Sequence, residues 1–93
     1  MTFLCKQDRI IARDDEGSTI AEVTFPAISE HTVCISRTVV IESLGAQEIE
    51  SELYRAVVKL LRADNRKAAI TCPRASKWFR KNPEYMDVLY SSR

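Results

Sequence analysis

The sequence predicts a mixed α/β (α+β) domain: a three-stranded antiparallel meander, a long helix, a fourth strand parallel to the third, and a C-terminal helix. Three observations carry this. From Lys6 to Val40, β-branched residues come in short runs separated by turn residues. After Gln47 the apolar period changes from two to 3.6. A brief apolar run, Ala68 to Thr71, then has the character of a strand inside a sheet. A helix between the third and fourth strands implies a crossover, which makes those two strands parallel.

In order along the chain, Asp14-Asp15-Glu16-Gly17 reads as a hairpin turn between a strand at Arg9 to Arg13 and another at Thr19 to Phe25. Pro26 ends the second strand, because proline cannot donate to a ladder. Ser29-Glu30 turns the chain into a third strand, Thr32 to Val40. In the long helix, Ile49, Leu53, Ala56, Val57, Leu60 and Leu61 share one face, and Glu50, Glu52, Arg55, Lys59 and Arg62 the other. Ala63-Asp64-Asn65 closes it. Pro73 suits the first turn of a second helix, Ala75 to Arg80, which Asn82-Pro83 stops. Glu84 to Tyr90 adds a last turn or two, and Ser91 to Arg93 reads as a frayed end.

Composition narrows the class. The 93 residues are 45% apolar, enough for one small core with Trp78, Tyr85 and Tyr90 as late anchors. Fourteen basic and thirteen acidic residues leave a net charge of +1, which argues against nucleic acid as a partner. Cys5, Cys34 and Cys72 are odd in number and lack metal-ligand spacing, and His31 is the single histidine, so neither a zinc site nor a disulfide framework is predicted. Free thiols, no apolar leader and no ~20-residue apolar stretch predict a cytoplasmic protein without a membrane span. A monomer or weak homodimer is expected.

The junction Ser43 to Gln47, between the third strand and the long helix, is a candidate anion site. The first amides of a helix lack partners within it and point along the positive end of its dipole.

Three segments, RTVVIESLGAQEIESEL, AAITCP and NPEYMDVL, resemble in order and spacing the small one-domain GNAT-like acetyltransferases. The resemblance runs from about Ile20 to Leu89, and its most specific parts are Cys72-Pro73 and Asn82-Pro83-Glu84-Tyr85-x-Asp87. It implies a GNAT-type fold without the usual amino-terminal substrate helices, binding acetyl-coenzyme A (acetyl-CoA) and transferring its acetyl group to an unidentified amine. The implied cofactor contacts are Val39 and Val40 on the strand, the amides of Gly45, Ala46, Gln47, Glu48 and Ile49 at the pyrophosphate, and Arg74 of a basic group at the 3′-phosphate. Cys72 is implied to lie near the thioester, and Tyr85 to protonate the leaving thiolate.

The chain departs from the family pattern in two places. Arg37 falls where the family has histidine, and a guanidinium cannot serve as a general base; His31-Thr32 lies six residues too early to replace it. Glu48 and Glu50 stand where glycine and glycine or alanine are expected. A carboxylate ~4 Å from a phosphate charge costs on the order of 1 kcal/mol in water and about 4 at an effective dielectric of 20. The same carboxylates favour a helix start by about 0.3–1 kcal/mol each, with Glu48 as a cap; Arg37 either pairs with Glu48, the favoured reading, or binds a phosphate. Two functions therefore stand: an N-acetyltransferase, or a GNAT-fold domain that has lost the cofactor and acts as a binding module. Cys72 is either an accessible nucleophile or a small buried residue at a strand end.

Overall fold

The computed structural model describes residues 1–42 and 45–90. Ser43 and Leu44, the first residues of the expected loop, and Ser91 to Arg93, the expected frayed end, lie outside the described residues.

Six strands and two helices follow one another: β1 (Thr2–Cys5), β2 (Arg9–Arg13), β3 (Thr19–Thr24), β4 (Thr32–Ile35), β5 (Arg37–Val40), α1 (Ala46–Ala63), β6 (Lys67–Ile70) and α2 (Pro73–Lys81), closed by a 3-10 turn, Pro83–Val88. Strands β1-β2-β3-β5 form one antiparallel sheet, and β4 pairs with β6 in parallel. The parallel pairing runs in register from Thr32 opposite Lys67 to Ile35 opposite Ile70.

The meander differs from the expected one in two ways. It gains β1, whose Phe3 packs on the core. The expected third strand, Thr32 to Val40, is also broken at Ser36, so that β4 and β5 serve different sheets. The Asp14–Gly17 hairpin is as expected. Gly17 takes the left-handed conformation at φ 85°, and the Asp14 carboxylate accepts from the amides of Glu16 (3.0 Å) and Ser18 (2.9 Å).

Helix α1 lies across the inner face of the sheet. Its buried residues are Leu53, Tyr54, Val57, Val58 and Leu61, so the buried stripe is turned from the expected one towards Tyr54 and Val58. The cause is α2, whose Phe79 and Trp78 rings stand 6.2 and 5.2 Å from the ring of Tyr54. The core joins these residues to Ile10, Val23, Phe25, Val33 and Ile35, all fully buried. The C-terminal segment is locked on by Tyr85, stacked on Trp78 at 5.4 Å, and by Arg62, which donates to both oxygens of Asp87 (2.6 and 3.1 Å).

Candidate functional site

The break at Ser36 opens a fork in the chain. The β4–β6 ladder ends where the amides of Thr71 and Cys72 both donate to the Ile35 carbonyl, at 3.1 and 3.2 Å. One residue later the Ser36 amide donates to Thr24 of β3 instead, and β5 continues along β3. Beyond Ile35, β5 and the end of β6 thus belong to different sheets, and among the described residues β5 has only β3 as a strand neighbour. Its other edge carries backbone groups available to an extended ligand.

Cys72 sits at the mouth of this fork. It precedes α2, with Pro73 at the first helical position, and the residue is 7% exposed. Across the fork its Sγ lies 3.6 Å from Thr38 Oγ1 on β5, and the Tyr54 hydroxyl of α1 donates to the same Thr38 oxygen at 2.8 Å. Three elements thus converge on one hydroxyl. Burial pushes the Tyr54 phenol well above its ordinary value of 10, so it is a neutral donor at any working pH.

At the other end of β5, Gly45 begins α1 with φ 92°, a left-handed conformation that costs a residue with a Cβ about 1–2 kcal/mol. Among the described residues no side chain caps the helix, and its first internal bond is Ile49 N–H to the Gly45 carbonyl at 3.0 Å. The amides of Ala46, Gln47 and Glu48 precede that bond. Among the described residues Glu48 makes neither a cap hydrogen bond at the helix start nor an ion pair with Arg37.

Glu50 is turned from the loop towards α2, where Arg74 Nη1 meets its Oε2 at 2.6 Å. The pair lies in a groove of about 560 Å³ between the start of α1 and the length of α2, which also holds Gln47, Ser51, Lys77 and Lys81. A second groove of about 360 Å³, beside Gly45, is lined by Asp14, Asp15, Glu48 and Glu52. The helix start thus has a cationic side, facing α2, and an anionic side, facing the hairpin. A polyanion is favoured only on the first.

The predicted residues therefore fall into three groups. Gln47 and Arg74 share the cationic groove, with Gly45, Ala46, Glu48 and Ile49 at the adjoining helix start. Val39 (46% exposed) and Val40 (packed on the core) lie on opposite faces of β5, and Cys72 lies at the fork. Tyr85 stands apart in the C-terminal lock, its ring against Trp78 and 5.7 Å from the Arg62 guanidinium. Arg37 and His31 are exposed. Sequence reasoning missed Thr38 as a partner of Cys72 and missed Tyr54 altogether. The signal for Tyr54 was present in its spacing, since a polar-tipped residue on the buried side of a helix must find a hydrogen-bond partner.

Among the described residues, no group of His, Cys, Asp and Glu could hold a metal ion, and no helix is long and apolar enough to cross a membrane. What fold and site define is an α/β domain with a forked sheet, a buried thiol at the fork and a helix start beside a basic groove. The family model of the GCN5-related N-acetyl-transferases matches residues 9–88, and the chain belongs to that family. Among solved structures, it is similar to the solution structure of a GCN5-like putative N-acetyltransferase from Staphylococcus aureus, with 27% identity and a TM-score of 0.79 over 99% of this chain and 90% of that one. No curated protein matches it.

Proposed function

We propose that this chain is an acetyl-CoA-dependent N-acetyltransferase that uses an amine as acceptor. The observation that carries the reading is the position of Glu50. Of the two carboxylates that stand where the family has small residues, Glu50 is engaged by Arg74 at 2.6 Å rather than aimed at the helix start. The amides of Ala46 to Glu48, which no side chain caps among the described residues, are a donor set suited to a pyrophosphate.

The residues fit the cofactor. The amides from Gly45 to Ile49 would hold the pyrophosphate, Arg74 with Lys77 and Lys81 the 3′-phosphate, and the open edge of β5 at Val39 and Val40 the pantetheine amides. When bound, acetyl-CoA supplies an activated acetyl group as a thioester. Cys72, whose sulfur faces Thr38 across the fork, is the thiol that this reading places beside the acyl group. The tyrosine nearest this chemistry is Tyr54, acting through Thr38, whereas Tyr85 anchors the C-terminal segment. Arg37, a fixed charge, is no base for the incoming amine, so the amine must lose its proton to solvent or to another group.

Calorimetric titration and thermal shift with acetyl-CoA test the reading. A ligand that binds only the folded chain raises its melting temperature, by an amount set by RT ln(1 + [L]/Kd). Saturable binding with a rise in melting temperature is expected, and no heat and no shift at millimolar ligand would overturn the proposal.

A further inference from the structure

We propose that Thr38, held in place by Tyr54, is a positioning residue that orients the Cys72 thiol and stabilises its reactive form. The proposal rests on the transferase reading for its purpose, though not for its test.

Thr38 is a polar residue on an apolar face. Its cross-strand neighbour is Val23, and Val23 in turn faces Ile10, both fully buried. A hydroxyl placed there costs stability unless it is hydrogen-bonded. The Tyr54 phenol, itself fully buried, supplies a bond at 2.8 Å. If mutual satisfaction were the whole purpose, a Val and Phe pair of the same shape would serve at little cost.

The third member of the cluster gives the arrangement a use. A threonine hydroxyl has one proton and two lone pairs. Among the described residues Tyr54 has no acceptor other than Thr38, and as a buried neutral phenol it occupies one Thr38 lone pair. One lone pair and the proton remain, and Cys72 Sγ is 3.6 Å away. Thr38 can therefore accept from the thiol and, after its O–H rotates, donate to the thiolate. The Tyr54 bond keeps the oxygen facing the sulfur in both states. Because Thr38 is on β5 and Cys72 follows β6, the contact also spans the fork and fixes the sulfur relative to the edge where an extended ligand would lie.

The test uses the full chain with Cys5→Ser and Cys34→Ser, so that Cys72 is the one thiol left to iodoacetamide. Alkylation is followed at a fixed pH for this parent, T38V, T38S and Y54F, with the melting temperature of each recorded. T38V is expected to react about tenfold slower, Y54F about threefold slower, and T38S within about twofold of the parent. A folded T38V that reacts as fast as the parent overturns the proposal, as does a T38S that falls as far as T38V, since that result reports packing. Should T38V not fold, Y54F decides, and an unchanged rate in Y54F overturns it. Acetyl-CoA titration of the same parent reports separately on the transferase reading, because the alkylation needs no cofactor.

Discussion

Arg74 and Glu50, 24 residues apart in sequence, meet at 2.6 Å between the starts of the two helices. The contact ties an acidic residue in the first turns of α1 to the basic groove beside it. It converts an obstacle to anion binding into a competition, because a phosphate must share or displace Glu50 to reach Arg74. Glu50→Gln is therefore expected to tighten coenzyme A binding by about two- to tenfold, since an ion pair whose arginine is half exposed is worth about 1 kcal/mol. Calorimetry checks this, and weaker binding in Glu50→Gln would show that Glu50 orders Arg74 for the ligand rather than competing for it.

Gly45→Ala tests the helix start. The position has φ 92° and nothing within 4 Å of an added Cβ, so the whole cost is backbone strain. Urea unfolding should show a loss of about 1–2 kcal/mol. A neutral result would mean that the glycine conformation is not needed there.

These two residues also mark how far the sequence could be read. The hairpin at Asp14 to Gly17, the period of α1 and the proline-led α2 were legible because each is decided within a few residues. The break at Ser36 was not, since TVCISRTVV is β-branched on both sides of it and only pairing with distant strands separates β4 from β5. Strand β1 was missed because four residues at a sheet edge carry almost no alternation. Arg37 was assigned to Glu48 on charge and nearness in sequence, while Glu50 found its partner through tertiary packing. The spacing of Tyr54 hints at a buried phenol in need of a partner, but only the fold brings it and Thr38 to Cys72.

The C-terminal lock predicts a pH dependence. The Arg62 guanidinium, through its hydrogen bond first and its charge second, holds Asp87 below its ordinary value of 3.8. A carboxylate depressed in the folded state adds stability above its unfolded value, and that stability is lost as pH falls through the lower folded value. Asp87→Asn should therefore lower the melting temperature at pH 7 by at most about 4 °C, because both side chains are about half exposed. The gap to the parent should close as pH falls below 3.8. A gap that stays constant from pH 7 to pH 2.5 would assign the effect to packing.

Trp78→Ala removes the ring that stacks on Tyr85, packs on Tyr54 and Phe79, and donates to Ser51 Oγ at 2.9 Å. Truncations of this size cost about 3–5 kcal/mol. In a domain of 93 residues that is a large part of the total stability. Denaturant unfolding should show a midpoint far below the parent's, and a shift under 1 kcal/mol would mean that α2 and the C-terminal turn are held by other contacts.

The most direct test of the account is an amide-resolved NMR titration with acetyl-CoA. The amides of Ala46, Gln47 and Glu48 should shift first and furthest, followed by β5 at Val39 and Val40 and by Cys72. If those amides stay still at millimolar ligand, or the shifts gather on the acidic side at Asp14 and Asp15, the helix start does not hold the pyrophosphate.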